Sequence, residues 1–527
     1  MENQNNESIW KKKININLAI PFKKIFNVVT IGLGILILLL IILHIVENVR
    51  GKWAFEKWKK EHKDVVLEVK HYLQSPVPDD KNLAMSGIFK LIADVYGKGK
   101  KDNTNAFNEL TKFDSEYNEF ILKLEYNRKK DFKIPIFIFD TNSVNIKAAA
   151  EALRKCNYKN CGAVTNDAEC VLNAMSGLSP YLDEILTASK QREFFRFPFF
   201  YDGKDPAAIP LPYLSFFKKI CQTIQFRAVC FMELNKGGAA FEDVRLGLRL
   251  AELLKDEPFI ISQLVRVSVL NISLQNIREG MARGVWTEQQ IAGFQNILSS
   301  INLLKDLRRS LEVEQVFGAE IMMLIQDREY FNKYLNIGSS PVCTTCCDDS
   351  SNSKIFTSFW FIPKGWFYQN AVTHCNLIEE RKQILDNIIR DRRSSPMSAY
   401  FEKLSVKIKR SPYSVLAGFL AIPMDRTLYR VGASQTAAEL CNIACAIERY
   451  RLDKGNLPED LSKLTPDYIM VIPVSLFDGK EFRYHKINES DYGLIVEIPE
   501  VEGLNFFEKQ SDIPQLIQHE IIFKRIK

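Results

Sequence analysis

Ile25-Phe26-Asn27-Val28-Val29-Thr30-Ile31-Gly32-Leu33-Gly34-Ile35-Leu36-Ile37-Leu38-Leu39-Leu40-Ile41-Ile42-Leu43-His44-Ile45-Val46 contains one ionisable residue, His44, and runs unbroken in aliphatic side chains from Ile35 to Leu43. As a helix rising about 1.5 Å per residue it reaches about 33 Å, enough for a hydrocarbon core of roughly 30 Å. The hydrophobic part of a signal peptide is shorter, about 7–15 residues. The following Glu47-Asn48-Val49-Arg50-Gly51 also lacks a small-x-small cleavage pattern. The stretch therefore reads as an uncleaved transmembrane helix over 25–46, against the plainer alternative of a buried core helix. No second stretch matches it: Val415 to Pro423 is apolar but short, and Phe194 to Tyr201 is interrupted by Arg196.

The flanking charges do not decide the orientation by themselves. Lys11, Lys12, Lys13, Lys23 and Lys24 precede the span; Arg50, Lys52, Lys57, Lys59, Lys60 and Lys63 follow it, so the basic residues balance. Long translocated domains weaken the charge rule on their own side, which favours residues 1–24 as a cytoplasmic basic tail and the bulk of the chain as extracytoplasmic. Trp53 and Trp58 read either as interfacial anchors or as packing against a neighbour.

Beyond the span, 527 residues at 46% hydrophobic and 25% charged describe a folded chain of more than one unit. A net charge of +6 gives no case for a nucleic-acid partner. Eleven cysteines is an odd number, so complete internal pairing is impossible. Cys343-Thr344-Thr345-Cys346-Cys347 is the one CxxC, and Cys156, Cys161 and Cys170 form a looser group. Without a second CxxC or a His pair at ligand spacing, no metal site is expected. Cys221, Cys230, Cys441 and Cys445 fall in helical patterns and read as small core residues.

The expected fold class is mainly α with a C-terminal α+β module: one N-terminal transmembrane helix, a multi-helix central domain and a small antiparallel sheet near the C-terminus. Residues 47–78 read as a juxtamembrane helix ended by a hinge at Ser75-Pro76-Val77-Pro78. Residues 79–210 read as a mixed α/β region with a β-rich run, Ile134 to Phe139. Residues 211–430 form a helical domain carrying a Ser/Cys-rich loop at 337–354. Four or five helices stack between Leu211 and Asp327, one opened by the capping box Thr287-Glu288-Gln289-Gln290, and another tract covers Trp366 to Arg392. In 431–510, Thr436-Ala437-Ala438-Glu439 reads as a second capping box, Gly455 as a left-handed stop, and Asp478-Gly479 as a hairpin turn between Val474–Phe477 and Glu481–Tyr484. A further strand covers Gly493 to Ile498, the module is expected to be self-contained, and 511–527 reads as a tail.

Ile447-Glu448-Arg449-Tyr450-Arg451-Leu452-Asp453-Lys454-Gly455-Asn456-Leu457-Pro458, with Leu461, Leu464, Pro466, Pro473, Phe477-Asp478-Gly479 and Tyr484, resembles the end of the helix and the start of the sheet in type II secretion major pseudopilins. The same string is similar to the C-terminus of an uncharacterised family of bacterial single-span membrane proteins. Three other landmarks resemble that family: Pro76-Val77-Pro78-Asp79-Asp80-Lys81-Asn82, the Leu248 to Val269 stretch with Asp256-Glu257-Pro258 and Ser262-Gln263-Leu264-Val265-Arg266, and Gly365-Trp366-Phe367-Tyr368-Gln369-Asn370. The resemblance implies membership and assigns no chemistry. Ile20-Pro21-Phe22-Lys23-Lys24-Ile25 lacks the Gly and Glu of a prepilin peptidase site, so the chain is expected to keep residues 1–24.

A search for catalytic motifs returns none of GxSxG, HExxH, GxxxxGK[ST] or a strand-linked GxGxxG. His374 and Cys375 are adjacent, and neighbours on a helix point about 100° apart, so they read as a helix-face His beside a buried Cys. Glu379-Glu380-Arg381-Lys382 reads as a solvated face, and Arg308, Arg309, Arg390, Arg392 and Arg393 as surface charge. Asn271-Ile272-Ser273 and Asn488-Glu489-Ser490 fit a glycosylation pattern. No catalytic, cofactor-binding or metal residue is expected and no cofactor. The partners expected are the lipid bilayer through 25–46 and envelope proteins. The function expected is that of a membrane-anchored envelope component, non-enzymatic, structural or assembly-related. The alternative is an anchored hydrolase or ligand-binding ectodomain whose site the sequence hides.

Overall fold

The computed structural model describes residues 22–66, 77–97, 103–126, 144–198, 205–327, 330, 362–404, 411–499 and 516–524. The basic tail as far as Pro21, the run Ile134 to Phe139 and the Ser/Cys-rich loop with its CxxC lie outside them, as do Ser75 and Pro76 of the expected hinge. The described chain is mostly helical, with one small sheet near its C-terminus.

Helix α1, Phe22–Glu61, crosses the expected boundary at 46/47 without a break. Its apolar part is exposed on every side, Ile35 by 55% and Leu39 by 57%, and it is the one described helix long and apolar enough to cross a membrane. From Glu47 onward a single face turns inward: Glu47, Gly51, Phe55 and Trp58, at spacings of four, four and three, are buried. Trp58 thus packs on the body and on His62, whereas Trp53 stays in the open.

The first compact part of the body contains α2 (Gly87–Tyr96), α3 (Thr104–Tyr126), α4 (Ile146–Lys155), α5 (Asp167–Ala174) and α6 (Ser179–Ser189). Phe120, Leu153 and Val171 from this part share a satellite core with Phe226. Five consecutive helices follow: α7 (Tyr213–Glu233), α8 (Gly237–Leu253), α9 (Ile260–Arg283), α10 (Glu288–Ser300) and α11 (Leu303–Leu324). The Thr287 capping box forms at the start of α10, with hydroxyl and amide side chain each satisfying the other's backbone N–H. Next come α12 (Lys364–Arg390), α13 (Met397–Leu404) and α14 (Val415–Lys454). α9 is buried all round, packed on α7, α8, α11 and α14, and α12 lies between α1, α11 and α14.

Two sequence expectations change here. Thr436 caps nothing: it lies inside α14, fully buried, because Met424, Leu428 and Val431, in the three turns before it, already face the core and carry the helix through. A boundary at 430/431 therefore falls within one continuous helix. Residues 516–523, expected as tail, are the third strand. The sheet, β1 (Arg483–Lys486), β2 (Tyr492–Pro499) and β3 (Leu516–Phe523), is antiparallel in the order β1-β2-β3, with Tyr492 opposite Phe523 and Pro499 opposite Leu516. Tyr492, Leu494, Val496 and Ile498 alternate inward into the same core as Leu440, Cys441 and Ala444 of α14.

The Asp478-Gly479 turn forms with Gly479 at φ +70°, but its ladder is a single bridge, Val474 to Glu481. The turn is held from outside instead: Leu476 and Phe477 carbonyls accept from the N–H groups of Met397 and Ser398, and a Cβ on Gly479 would stand 2.7 Å from the Arg392 carbonyl. The C-terminal module is consequently wedged into the helical body rather than self-contained.

Candidate functional site

An open cleft of about 540 Å³ lies where α10, α14 and the returning segment Pro466–Pro473 meet. α10 and α14 run antiparallel here, since Glu288 pairs with Arg449 while Ser299 bonds Asn442. Arg449 donates to Glu288 at 2.8 Å and to Gln295 Oε1 at 2.9 Å, and Gln295 Nε2 in turn donates to the Tyr468 carbonyl at 2.7 Å. At the other end Arg392 forms a two-pronged pair with Glu439, at 2.8 and 2.9 Å. Gln435 closes that end by donating to Glu439 and accepting from the Leu303 N–H.

Both guanidiniums are thus neutralised by carboxylates, and the cleft is no anion trap. Its floor offers amides. Asn442 Nδ2 donates to Ser299 Oγ at 3.3 Å, while Asn442 Oδ1 is enclosed with no donor among the described residues. Its lip is apolar: Met470 and Val471 are 79% and 74% exposed on an irregular segment whose neighbour Ile469 is buried. The arrangement sets amide and hydroxyl side chains beside an exposed apolar lip. Sequence reading missed this cleft, because its residues come from four separated stretches; the exposed pair Met470-Val471 between Pro466 and Pro473 was the signal available.

The residues singled out in the sequence turn out to be joints. His374 and Cys375 are both fully buried, with His374 Nε2 donating to the Glu314 carbonyl at 3.1 Å. The ring fits against Gly318, whose Cβ would stand 2.1 Å from Nε2. Burial, aided by Arg381 and opposed by the bond to Glu314, lowers the His374 pKa to about 4. The Glu379–Lys382 string is not a solvated face. Arg381 makes a buried pair with Asp425, 2.8 Å on each prong, to which Tyr400 adds its hydroxyl; Lys382 lies buried beside Gln315 and Glu379. Arg308 pairs with Asp386 and Glu312, and Arg309 with Asp256. Asn271 is buried and donates to Ser434, out of reach of glycosylation, whereas Asn488 is exposed in the β1–β2 turn. Cys161 is buried, and burial first, then neighbouring Cys170, pushes its thiol up to about 12; no described cysteine is in a disulfide.

The landmark strings behave alike. Asn82 clamps the strand-like segment around Arg196 by bonds to both its N–H and carbonyl. Glu257 is buried under the Tyr213 hydroxyl, and burial raises its carboxyl to about 7; Gln263 and Arg266 beside it hold the α8–α9 connection through Leu254, Ala251 and Asp306. Asn370 caps α14 by accepting from Leu416 and Ala417. Among the described residues no group of three or more His, Cys, Asp or Glu is arranged to hold a metal ion. No family model, no curated protein and no solved structure matches this chain.

Proposed function

We propose that the protein is a single-pass envelope component, anchored through residues 25–46 with its N-terminus cytoplasmic, whose body serves a structural or assembly role by receiving a segment of a neighbouring protein. The observation that carries this reading is the pairing of an apolar helical stretch exposed on every side with a body whose singled-out polar residues are spent on internal joints, and in which the Asn442 cleft with its apolar lip is an open feature. The pseudopilin-like string lines this same region: Arg449 and Pro466 border the cleft, and Tyr484 bonds the Pro458 carbonyl to hold the helix end on the sheet. The mature chain keeps residues 1–24. A reporter fused after Lys527 should act as extracytoplasmic, and a cytoplasmic signal would reverse the orientation. A photo-crosslinker replacing Met470 should capture a discrete protein partner in native membranes, with the capture lost on Asn442→Leu; capture unaffected by that change would move the docking site elsewhere.

A further inference from the structure

The geometry points to a second contact with the membrane: the body rests directly on lipid headgroups through a basic and aromatic face comprising Lys52, Trp53, Lys364 and Tyr413, and this face selects anionic lipid. The inference rests on the reading of residues 25–46 as a membrane span and concerns what happens just beyond it.

The last residue of the apolar run, Val46, and the first buried residue, Glu47, are adjacent. A bilayer about 30 Å thick in hydrocarbon measures about 40–45 Å with its headgroups, so each interface adds about 5–7 Å, or roughly four residues of helix. Residues 47–51 therefore lie at headgroup depth, and the body already touches them there. Gly365 meets the Glu47 backbone so closely that a Cβ would stand 1.9 Å from its carbonyl oxygen, and the Gly365 N–H donates to Asn48 Oδ1 at 2.8 Å. The Arg50 guanidinium stacks on the Tyr413 ring at 4.7 Å, and Trp366 meets the same ring edge-on.

The direction of the helices places more than one point at this level. Gly365 touches Asn48 and Tyr368 touches Phe55, so α12 runs parallel to α1; Asn370 bonds Leu416 and Arg381 bonds Asp425, so α14 runs parallel to α12. Both therefore direct their starting ends toward the bilayer. No stalk separates the two bodies of matter. On this face Lys52 and Lys364 are exposed and meet no acidic side chain among the described residues, while Glu47 is buried and already paired with Arg50 at 3.1 Å. Trp53 is 66% exposed with Lys57 over its ring. Exposed lysines beside Trp and Tyr are the chemistry of an anionic interface: ammonium for phosphate, amphipathic ring for the headgroup layer.

The test uses the full chain in nanodiscs of phosphatidylcholine with one third phosphatidylglycerol, carrying benzoylphenylalanine in place of Leu40, Lys364, Tyr413 or Lys454 in turn. Lipid adducts are expected at 40, 364 and 413 and not at 454, the far end of α14. Phosphatidylglycerol should be over-represented among the adducts at 413 and lose roughly fivefold in that enrichment on Lys364→Gln, the ratio to which about 1 kcal/mol per lysine corresponds. Position 364 is exposed, so it reports even where replacement of Tyr413 disturbs folding. Adducts at 40 without any at 364 or 413 overturn the resting face and leave the span intact; no adduct at 40 removes the span itself. Adducts at 413 in the bulk lipid ratio overturn the selection of anionic lipid.

Discussion

α1 and α14 are both 40 residues long, and they solve opposite problems. Most of α1 presents aliphatic side chains to its surroundings with no described part of the protein against them, the pattern that suits an apolar solvent. α14 instead carries Asp425, Thr427, Ser434, Gln435 and Glu448 into the interior, where charged and amide groups hold only if each has a partner. Asp425 has Arg381 and Tyr400, Gln435 has Ile301, Leu303 and Glu439, and Glu448 has Arg451. Length and helicity do not separate the two; what each residue must face does.

The comparison breaks most visibly at Asp425. Asp425→Ala leaves the buried Arg381 guanidinium without its counter-charge and should cost about 3–5 kcal/mol in chemical denaturation, whereas Asp425→Leu with Arg381→Met should recover most of that loss. A single variant as stable as the parent would mean the pair is solvated.

The junction end of α1 obeys interior rules. Gly365→Val places atoms where the Glu47 carbonyl stands, and the resulting separation of α12 from α1 should cost about 3 kcal/mol, the upper end for overpacking, with new protease cleavage between residues 47 and 61. Unchanged stability and protection would show that the two helices already part in solution.

Acidification probes α12 against α11. His374 is neutral when folded, its pKa lowered by burial to about 4, so the unfolded chain takes up a proton first as pH falls below about 6.5. Its contribution is whole above that value and fades toward pH 4. At pH 5 the loss relative to pH 8 should be about 2 kcal/mol, at 1.36 kcal/mol per pKa unit. Glu257 works the other way: its carboxyl, raised by burial to about 7, favours the folded state at low pH and withdraws that support as pH rises from about 4.5 through 7. Since the gain of Glu257 at pH 5 is of similar size, the share of His374 is read as the stability difference between the parent and His374→Gln, which should change by about 2 kcal/mol between pH 8 and pH 5; a difference that stays constant with pH removes His374 from the acid response.

The smallest effect belongs to the exposed part of α1. Leu39→Ala in detergent should shift the body's stability by less than about 0.5 kcal/mol, since the side chain touches nothing in it. A larger shift would mean that the span packs on the body or on a second copy.

What the sequence announced follows the same division. The long apolar helix, the helical stack between Leu211 and Asp327, the Thr287 box and the Gly455 stop, where Gly455 adopts φ +78°, rest on local pattern, and local pattern suffices for them. Thr436 misled because a capping string is a statement about a helix start, and the core contacts of Met424, Leu428 and Val431 decide whether a start is needed. Leu516–Phe523 was missed for the converse reason: a strand separated from its partner by a long connection declares itself through pairing, and Tyr492 stacking on Phe523 is invisible along the chain. The charged string Glu379–Lys382 looked solvated because its counter-ion, Asp425, lies 44 residues away from Arg381. The Asn442 cleft, drawn from four stretches, offered still less to a linear reading.

The close approach of Gly51 to Gly365 has a mechanical consequence. A span joined to its body by a flexible linker lets the membrane move without the body noticing; on the proposed reading of residues 25–46, the same rod, about 60 Å long, would lie in lipid at one end while clamped into the body at the other. When a bilayer thins, a helix too long for it tilts. With α1 unbroken at the junction, such a tilt would turn α12 and, through the Arg381 to Asp425 pair, α14 along with it. The cleft at the distal half of α14 would then swing with the body like the end of a lever.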